Sequence, residues 1–297
     1  MSVWQLIQGM DPKIFSLISA VLFGINPIIL KMGMPGSSAH AGVFIALVSG
    51  LPIFLFLSPI LGGLQFDQLT GLSIFYFVLG GLFVPFMGRT FLYLSIDSLG
   101  SARAVSFKNS APLFTAVLAL LFLHESISLE RWVAIGLVTA GLTLIGRMAR
   151  RQTKAFTLTG FATVMLAALS YGIRPFFVKL GLSFSPVPLA AALIGYLTAI
   201  GLYLGHFIFK GGLASMQSNR KSLLIFSVSG VLQAVGMLLL FYSLNADDVS
   251  VVYPISASAP LLTFVLSYTI LKNAERLTIW DLGGTLSIVT GVILLLG

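Results

Sequence analysis

The sequence predicts an all-α membrane protein whose ten transmembrane helices form two inverted five-helix repeats. Composition, the number of long apolar runs and a match between the two halves carry that reading. Of 297 residues, 57% are hydrophobic and 9% charged, and the mean hydropathy is +1.02. Soluble domains carry roughly a quarter charged residues, and 17 Lys/Arg with 9 Asp/Glu cannot cover a water-facing surface of this size. A soluble enzyme or nucleic-acid-binding domain is therefore excluded despite the net charge of +8, and 24 Phe exclude disorder. With no cysteine there is no disulfide, thiolate nucleophile or cysteine metal site. The first 13 residues run straight into an apolar stretch without a small-residue cleavage signal, so no cleaved targeting peptide is expected.

A helix crossing the bilayer needs about 20 mainly apolar residues. In chain order the runs that qualify are 14–33, 41–61, 71–95, 104–123, 132–146, 158–181, 189–209, 222–244, 250–271 and 279–296. The fifth is short, which helix extension or local thinning of the bilayer accommodates. Turn formers separate the runs, among them Pro35-Gly36-Ser37-Ser38, Gly62-Gly63 and Ala246-Asp247-Asp248. The runs are continuously apolar rather than alternating, which favours helices over barrel strands.

The basic residues divide by side. Eleven fall in the loops reached after odd-numbered spans: Lys31, Arg103, Arg147, Arg150, Arg151, Lys154, Lys210, Arg220, Lys221, Lys272 and Arg276. Lys13, Arg131 and Lys179 fall on the N-terminal side, and Arg89, Lys108 and Arg174 within spans. The positive-inside rule makes the basic side cytoplasmic and puts both termini on the non-cytoplasmic side of a bacterial-type inner (plasma) membrane.

The halves match at an offset of 148 residues. Gly24-Ile25-Asn26-Pro27 with Lys31 and Gly33 corresponds to Gly172-Ile173-Arg174-Pro175 with Lys179 and Gly181, and Ser110-Ala111-Pro112-Leu113 to Ser258-Ala259-Pro260-Leu261. A two-residue shift then pairs Glu125 with Glu275 and Gly141 with Gly291. The expected repeats are 1–148 and 149–297. Five spans is an odd number, so the copies are inverted, the architecture of alternating-access transporters with a substrate site at the repeat interface.

The Ser-Ala-Pro-Leu blocks, running from Ser110 to Glu125 with Gly136 and Gly141 and from Ser258 to Glu275 with Gly283, Gly284 and Gly291, resemble those of the drug/metabolite transporter superfamily, in particular its EamA-type ten-helix members. The resemblance covers both halves. It implies two five-helix bundles around a central cavity formed mainly by the first, third and fourth helices of each half, and an activity such as export of amino acids or other metabolites. One departure stands out: the glutamate that small cation exporters of the superfamily carry in their first helix is missing from both first helices here.

All nine acidic residues fall in loops or at helix ends, which disfavours a proton-coupled exporter of lipophilic cations. Cationic side chains near the bilayer centre cost about 2.5–3.5 kcal/mol on insertion scales and seek a wet cavity or a partner. Arg174, Lys108 and Arg89 are accordingly candidate contacts for a carboxylate, phosphate or zwitterion, arginine offering a two-pronged donor. The bland alternatives are a pairing of Arg89 with Asp97, snorkelling of Lys108, and interfacial anchoring by Lys31 and Lys179. Asn26, Tyr93, Asn109, Tyr171, Gln233, Tyr253 and Ser256 complete the candidate substrate-binding set, against a default role in binding helices together. Pro27, Pro112, Pro175 and Pro260 are candidate hinges or static kinks, and Pro175 would free the Tyr171 carbonyl. Glu125 and Glu275 fit helix N-termini.

His40, His124 and His206 are scattered, and no phosphate loop or Ser/His/Asp spacing is visible. No catalytic residue, metal site or cofactor is expected, and the chain reads as a transporter rather than an enzyme. Its expected partners are a small-molecule substrate and the lipid bilayer, not nucleic acid; monomer and homodimer both stay open. The leading expectation is a secondary transporter, an exporter or exchanger of small anionic or zwitterionic metabolites such as amino acids. The alternatives are a lipid or lipid-linked-metabolite flippase on the same fold and, more remotely, an intramembrane enzyme.

Overall fold

A computed structural model describes residues 10–33, 37, 39–99, 104, 107–146, 157–210, 212, 218–259, 261–262 and 279–296. The described elements are helical: α1 (Pro12–Gly33), α2 (Ala39–Leu57), α3 (Gly71–Gly81), α4 (Gly88–Leu99), α5 (Ala111–Phe122), α6 (Leu129–Gly146), α7 (Leu158–Phe184), α8 (Pro188–Phe209), α9 (Arg220–Ala246), α10 (Val249–Ala257) and α11 (Ile279–Leu296). They map onto the ten spans in order, α3 and α4 being one span in two pieces. Among the described residues, five stretches are long and apolar enough to cross a membrane unaided: His40–Leu57, Gly71–Leu92, Leu158–Phe184, Pro188–Phe209 and Arg220–Ala246.

Local chemistry sets the helix starts. The Thr70 hydroxyl accepts from Ser73 N while the Ser73 hydroxyl accepts from Thr70 N, a reciprocal cap on α3. The Thr157 and Asn219 side chains accept from Gly160 N and Ser222 N at the heads of α7 and α9. Large apolar side chains point outward, Phe56 being 74% and Phe209 93% exposed, as a lipid-facing surface requires.

Three of the described spans break their helix. Between α3 and α4, residues Leu82–Met87 wind wider than an α-helix, with Val84 fully extended (φ −145°, ψ 125°) just before Pro85. In the fourth span, residues 107 and 108 are helical, Asn109-Ser110 turn, and α5 begins only at Ala111. Pro112 therefore sits in the first turn of a helix, where its missing N–H costs nothing. Where a hinge or a static kink is expected, the helix is interrupted. The second half repeats it after α10: Ser258 (φ −70°, ψ −3°) has nearly the backbone angles of Ser110 (φ −74°, ψ −5°). Each serine hydroxyl donates to the carbonyl three residues back, Ser110 to Phe107 O at 2.7 Å and Ser258 to Ile255 O at 2.6 Å. Pro260 lies outside the described residues.

The inversion is visible in the pairing of α6 with α11, the fifth helices of the two repeats. A Cβ on Gly141 would meet the Gly284 carbonyl at 2.6 Å, and one on Gly291 the Ala134 carbonyl at 2.7 Å. Numbering rises along α6 as it falls along α11, so equivalent helices run antiparallel. Two further crossings obey the same pseudo-twofold: Gly81 of α3 lies against the Gly195 carbonyl of α8, and Gly230 of α9 against the Ala46 carbonyl of α2. The most extensive contacts run between repeats, α1 packing on α9 and α10 and α7 on α3, α4 and α5, so the first helix of each copy is gripped by the third and fourth of the other.

Candidate functional site

This exchange of first helices leaves a chamber of about 380 Å³ at the repeat interface, lined from both copies. Its walls follow the repeat: Phe23/Tyr171, Asn26/Arg174, Pro85/Gln233, Arg89/Met237, Leu92/Leu240, Lys108/Ser256, Asn109/Ala257 and Ala111/Ala259 are all lining pairs 148 residues apart. The pseudo-twofold axis thus passes through the chamber. The wide turns at 82–87 and the breaks before α5 and after α10 all border it, placing irregular backbone where it lines a cavity rather than lipid.

Nine of the ten candidate binding residues line this chamber; the side chain of Tyr93, on α4, lies outside the described residues. Arg89, Lys108 and Arg174 come together there, and none of the described lining residues is acidic. Arg89 Nη2 donates to Gln233 Oε1 at 2.7 Å; the side chain of Asp97, the other expected partner, lies outside the described residues. Lys108 Nζ stands 5.2 Å from the centre of the Tyr171 ring, and the Arg174 guanidinium 5.3 Å from that of Phe241, both within cation–π range. Arg174 Nε and Nη2 are buried and have no hydrogen-bond acceptor among the described residues.

The neutral candidates divide. The Asn26 Oδ1 accepts from the Ser229 hydroxyl, the Ser256 hydroxyl pairs with that of Ser19 at 3.0 Å, and the Tyr253 hydroxyl donates to Tyr171 O at 3.0 Å. These three tie helices together across the chamber wall. Asn109 is different: its Nδ2 donates to Leu142 O at 3.1 Å, but its Oδ1 has no donor among the described residues. The Tyr171 carbonyl is the one that Pro175, four residues on within the continuous α7, deprives of an intrahelical donor. The next carbonyl, Gly172 O, accepts from the Thr115 hydroxyl at 2.8 Å. Pro27 lies within α1, its side chain outside the described residues.

Phe23, Tyr196, Phe226 and Met237 also line the chamber and are missing from the sequence-based set. The offset of 148 carried the signal for two of them, since Phe23 is equivalent to Tyr171 and Met237 to Arg89.

At the end that carries both chain termini, polar bonds join the copies. Glu125 accepts from Val249 N (2.9 Å), Ser250 N (3.1 Å) and the Ser250 hydroxyl (2.6 Å), capping α10 of the opposite repeat rather than its own next helix. Arg131 pairs with Asp248 at 2.8 Å, Lys13 donates to Leu296 O, and the Ser16 and Ser243 hydroxyls meet at 2.7 Å. Lys179 donates to Leu244 O and Asp247 O, closing the end of α9. Glu275 and the Lys31 side chain lie outside the described residues.

A model of the EamA-like transporter family matches the chain twice, over residues 13–147 and 158–297. The chain is 32% identical over 133 residues to uncharacterized protein MJ1333.1 of Methanocaldococcus jannaschii, an alignment covering 44% of this chain and 91% of that one. A protein solved by crystallography superimposes with a TM-score of 0.77 over 95% of this chain and 94% of its own, at 14% identity; that likeness is one of fold.

Proposed function

Because this chain belongs to the EamA-like transporter family, and is thus a multi-pass membrane protein of a family of transporters, we propose that it is a secondary transporter of a small organic anion or zwitterion, such as an amino acid. The observation that carries the reading is the chamber: Arg89, Lys108 and Arg174 converge in a cavity between the repeats whose described lining holds no carboxylate. Gathering like charges away from water without counterions is unfavourable, and a ligand supplying an acid group offsets it. A cavity of about 380 Å³ falls in the range of small-molecule sites and suits a metabolite better than a whole lipid.

Transport proceeds by alternating access. The first helix of each repeat rocks with the third and fourth helices of the other, and the breaks beside Ser110 and Ser258 absorb the change. The direction is export or exchange across a bacterial-type plasma membrane, with the basic loops cytoplasmic and both termini outside.

Counterflow of radiolabelled carboxylates and amino acids in vesicles of the full chain tests this. Arg174→Ala and Lys108→Ala, singly and together, are expected to lower flux at least tenfold without altering insertion. Unchanged flux in both, or movement of a fluorescent lipid with no soluble substrate moved, overturns it.

A further inference from the structure

Resting on that reading of the chamber, we propose that Asn109 selects, among small carboxylates, those bearing an N–H or O–H donor next to the acid group. Asn109 is 3% exposed, lines the chamber and forms the turn before α5 with Ser110. Its orientation is fixed by chemistry: the Leu142 carbonyl can only accept, so the amide end facing it at 3.1 Å is the nitrogen. The oxygen is then a buried acceptor with no donor among the described residues.

A buried acceptor left without a partner is costly, and the fold does not demand one here. The second repeat makes the equivalent turn with Ala257 before Ser258. The amide is therefore surplus to the backbone's needs. The same chamber holds the opposite deficiency, the Nε and Nη2 donors of Arg174 without an acceptor among the described residues. A plain carboxylate satisfies the guanidinium, displaces whatever solvent reaches the chamber and leaves Asn109 Oδ1 bare. A 2-amino or 2-hydroxy acid satisfies both at once. Sites built around a hydrogen bond to a ligand N–H or O–H discriminate strongly against the analogue lacking it.

The test uses the full chain in detergent and two matched triads: alanine, lactate and propionate, and phenylalanine, phenyllactate and 3-phenylpropionate. The readout is the concentration of each acid giving half-maximal thermal stabilisation. In the wild-type protein the amino or hydroxy member of a triad is expected to act at a concentration at least about tenfold lower than the unsubstituted acid. In Asn109→Ala, which removes the acceptor, the ratio is expected to fall toward one. A wild-type ratio near one overturns the assignment without recourse to any variant, as does a ratio that Asn109→Ala leaves intact. Equal stabilisation by all six acids removes the role of Asn109 and leaves the anion chamber standing; no stabilisation by any removes both.

Discussion

The two repeats share most of their backbone, the wide turn at 82–87 apart, where α9 of the second repeat runs on unbroken, and differ in what they show the chamber. Ser110 and Ser258 turn alike, and the Gly81–Gly195 crossing mirrors that of Gly230 with Ala46. Phe77 stacked on Gly181 mirrors Phe226 stacked on Gly33. At four lining pairs the equivalence stops: Arg174 stands where the other repeat has Asn26, Lys108 where it has Ser256, Arg89 where it has Met237 and Asn109 where it has Ala257. Small and aromatic residues are kept in pairs because antiparallel helices meet through both copies of each crossing. Charge appears once per pair, as the proposed binding of a polar ligand without twofold symmetry would require. On the proposed reading of the chamber, the paired residues hold the fold and the unpaired ones serve the ligand.

The strongest test breaks the asymmetry directly. Arg174→Asn makes both copies carry asparagine before their prolines and is expected to lower transport efficiency by about 10- to 100-fold, the worth of a charged hydrogen bond of about 1.5–3 kcal/mol. Flux in vesicles measures it, with melting temperature as the control for folding. Adding Asn26→Arg sharpens the point by moving the charge to the equivalent site. Recovery of flux would mean that the chamber reads only net charge; continued loss, the expected result, would mean that it reads position, because Asn26 is committed to Ser229.

The symmetric half of the comparison is broken at the crossings. Gly81→Ala pushes a methyl into the Gly195 carbonyl and Gly230→Ala one into the Ala46 carbonyl. Backbone cannot yield as a side chain can, so each is expected to cost about 1–3 kcal/mol. The melting temperatures of the two variants in detergent should fall by similar amounts. A large fall in one alone would show that the pseudo-twofold is geometric but not energetic.

Legibility in the sequence follows the same line. The ten spans and their inversion could be read because burial in lipid demands long apolar runs and the Gly-Ile-x-Pro and Ser-Ala-Pro-Leu blocks survive in both copies. The gathering of Arg89, Lys108 and Arg174 was legible because charge in a span has few places to go. The exchange of first helices was not, since apolar periodicity says which faces are buried but not against which neighbour. Nor was the commitment of Asn26, Tyr253 and Ser256 to Ser229, Tyr171 O and Ser19, because a polar residue in a span looks the same whether it faces a ligand or another helix. The Pro112 break was masked for a related reason: one proline serves equally as a kink or as the first turn of a helix.

Smaller effects belong to the end near the termini. Glu125→Gln replaces one of the two oxygens that hold Val249 N, Ser250 N and the Ser250 hydroxyl with an amide nitrogen facing donors. A lost cap of this kind costs about 1–2 kcal/mol, read as a lower melting temperature. Glu275→Gln, at the equivalent position, should match it if the symmetry extends to the opposite end, and a neutral Glu275→Gln would confine the capping to one face.

The smallest expected effect is also the sharpest check on the division of labour. Arg131 and Asp248 form an ion pair at 2.8 Å with side chains 35% and 41% exposed, and the equivalent positions hold Asp281 and Gly100. The pair is as asymmetric as the chamber wall, yet it lies outside the chamber and in reach of solvent. Exposed pairs contribute about 0.2–1 kcal/mol and are screened by salt. Arg131→Ala should therefore lower the melting temperature slightly at low ionic strength, lose that effect at about 1 M salt where the screening length is near 3 Å, and leave flux within about twofold, since a contribution this small changes a rate by at most a few-fold. A flux loss comparable to that of Arg174→Asn would show that asymmetry outside the chamber also serves transport, and the rule drawn from the lining pairs would have to extend to the whole end of the molecule.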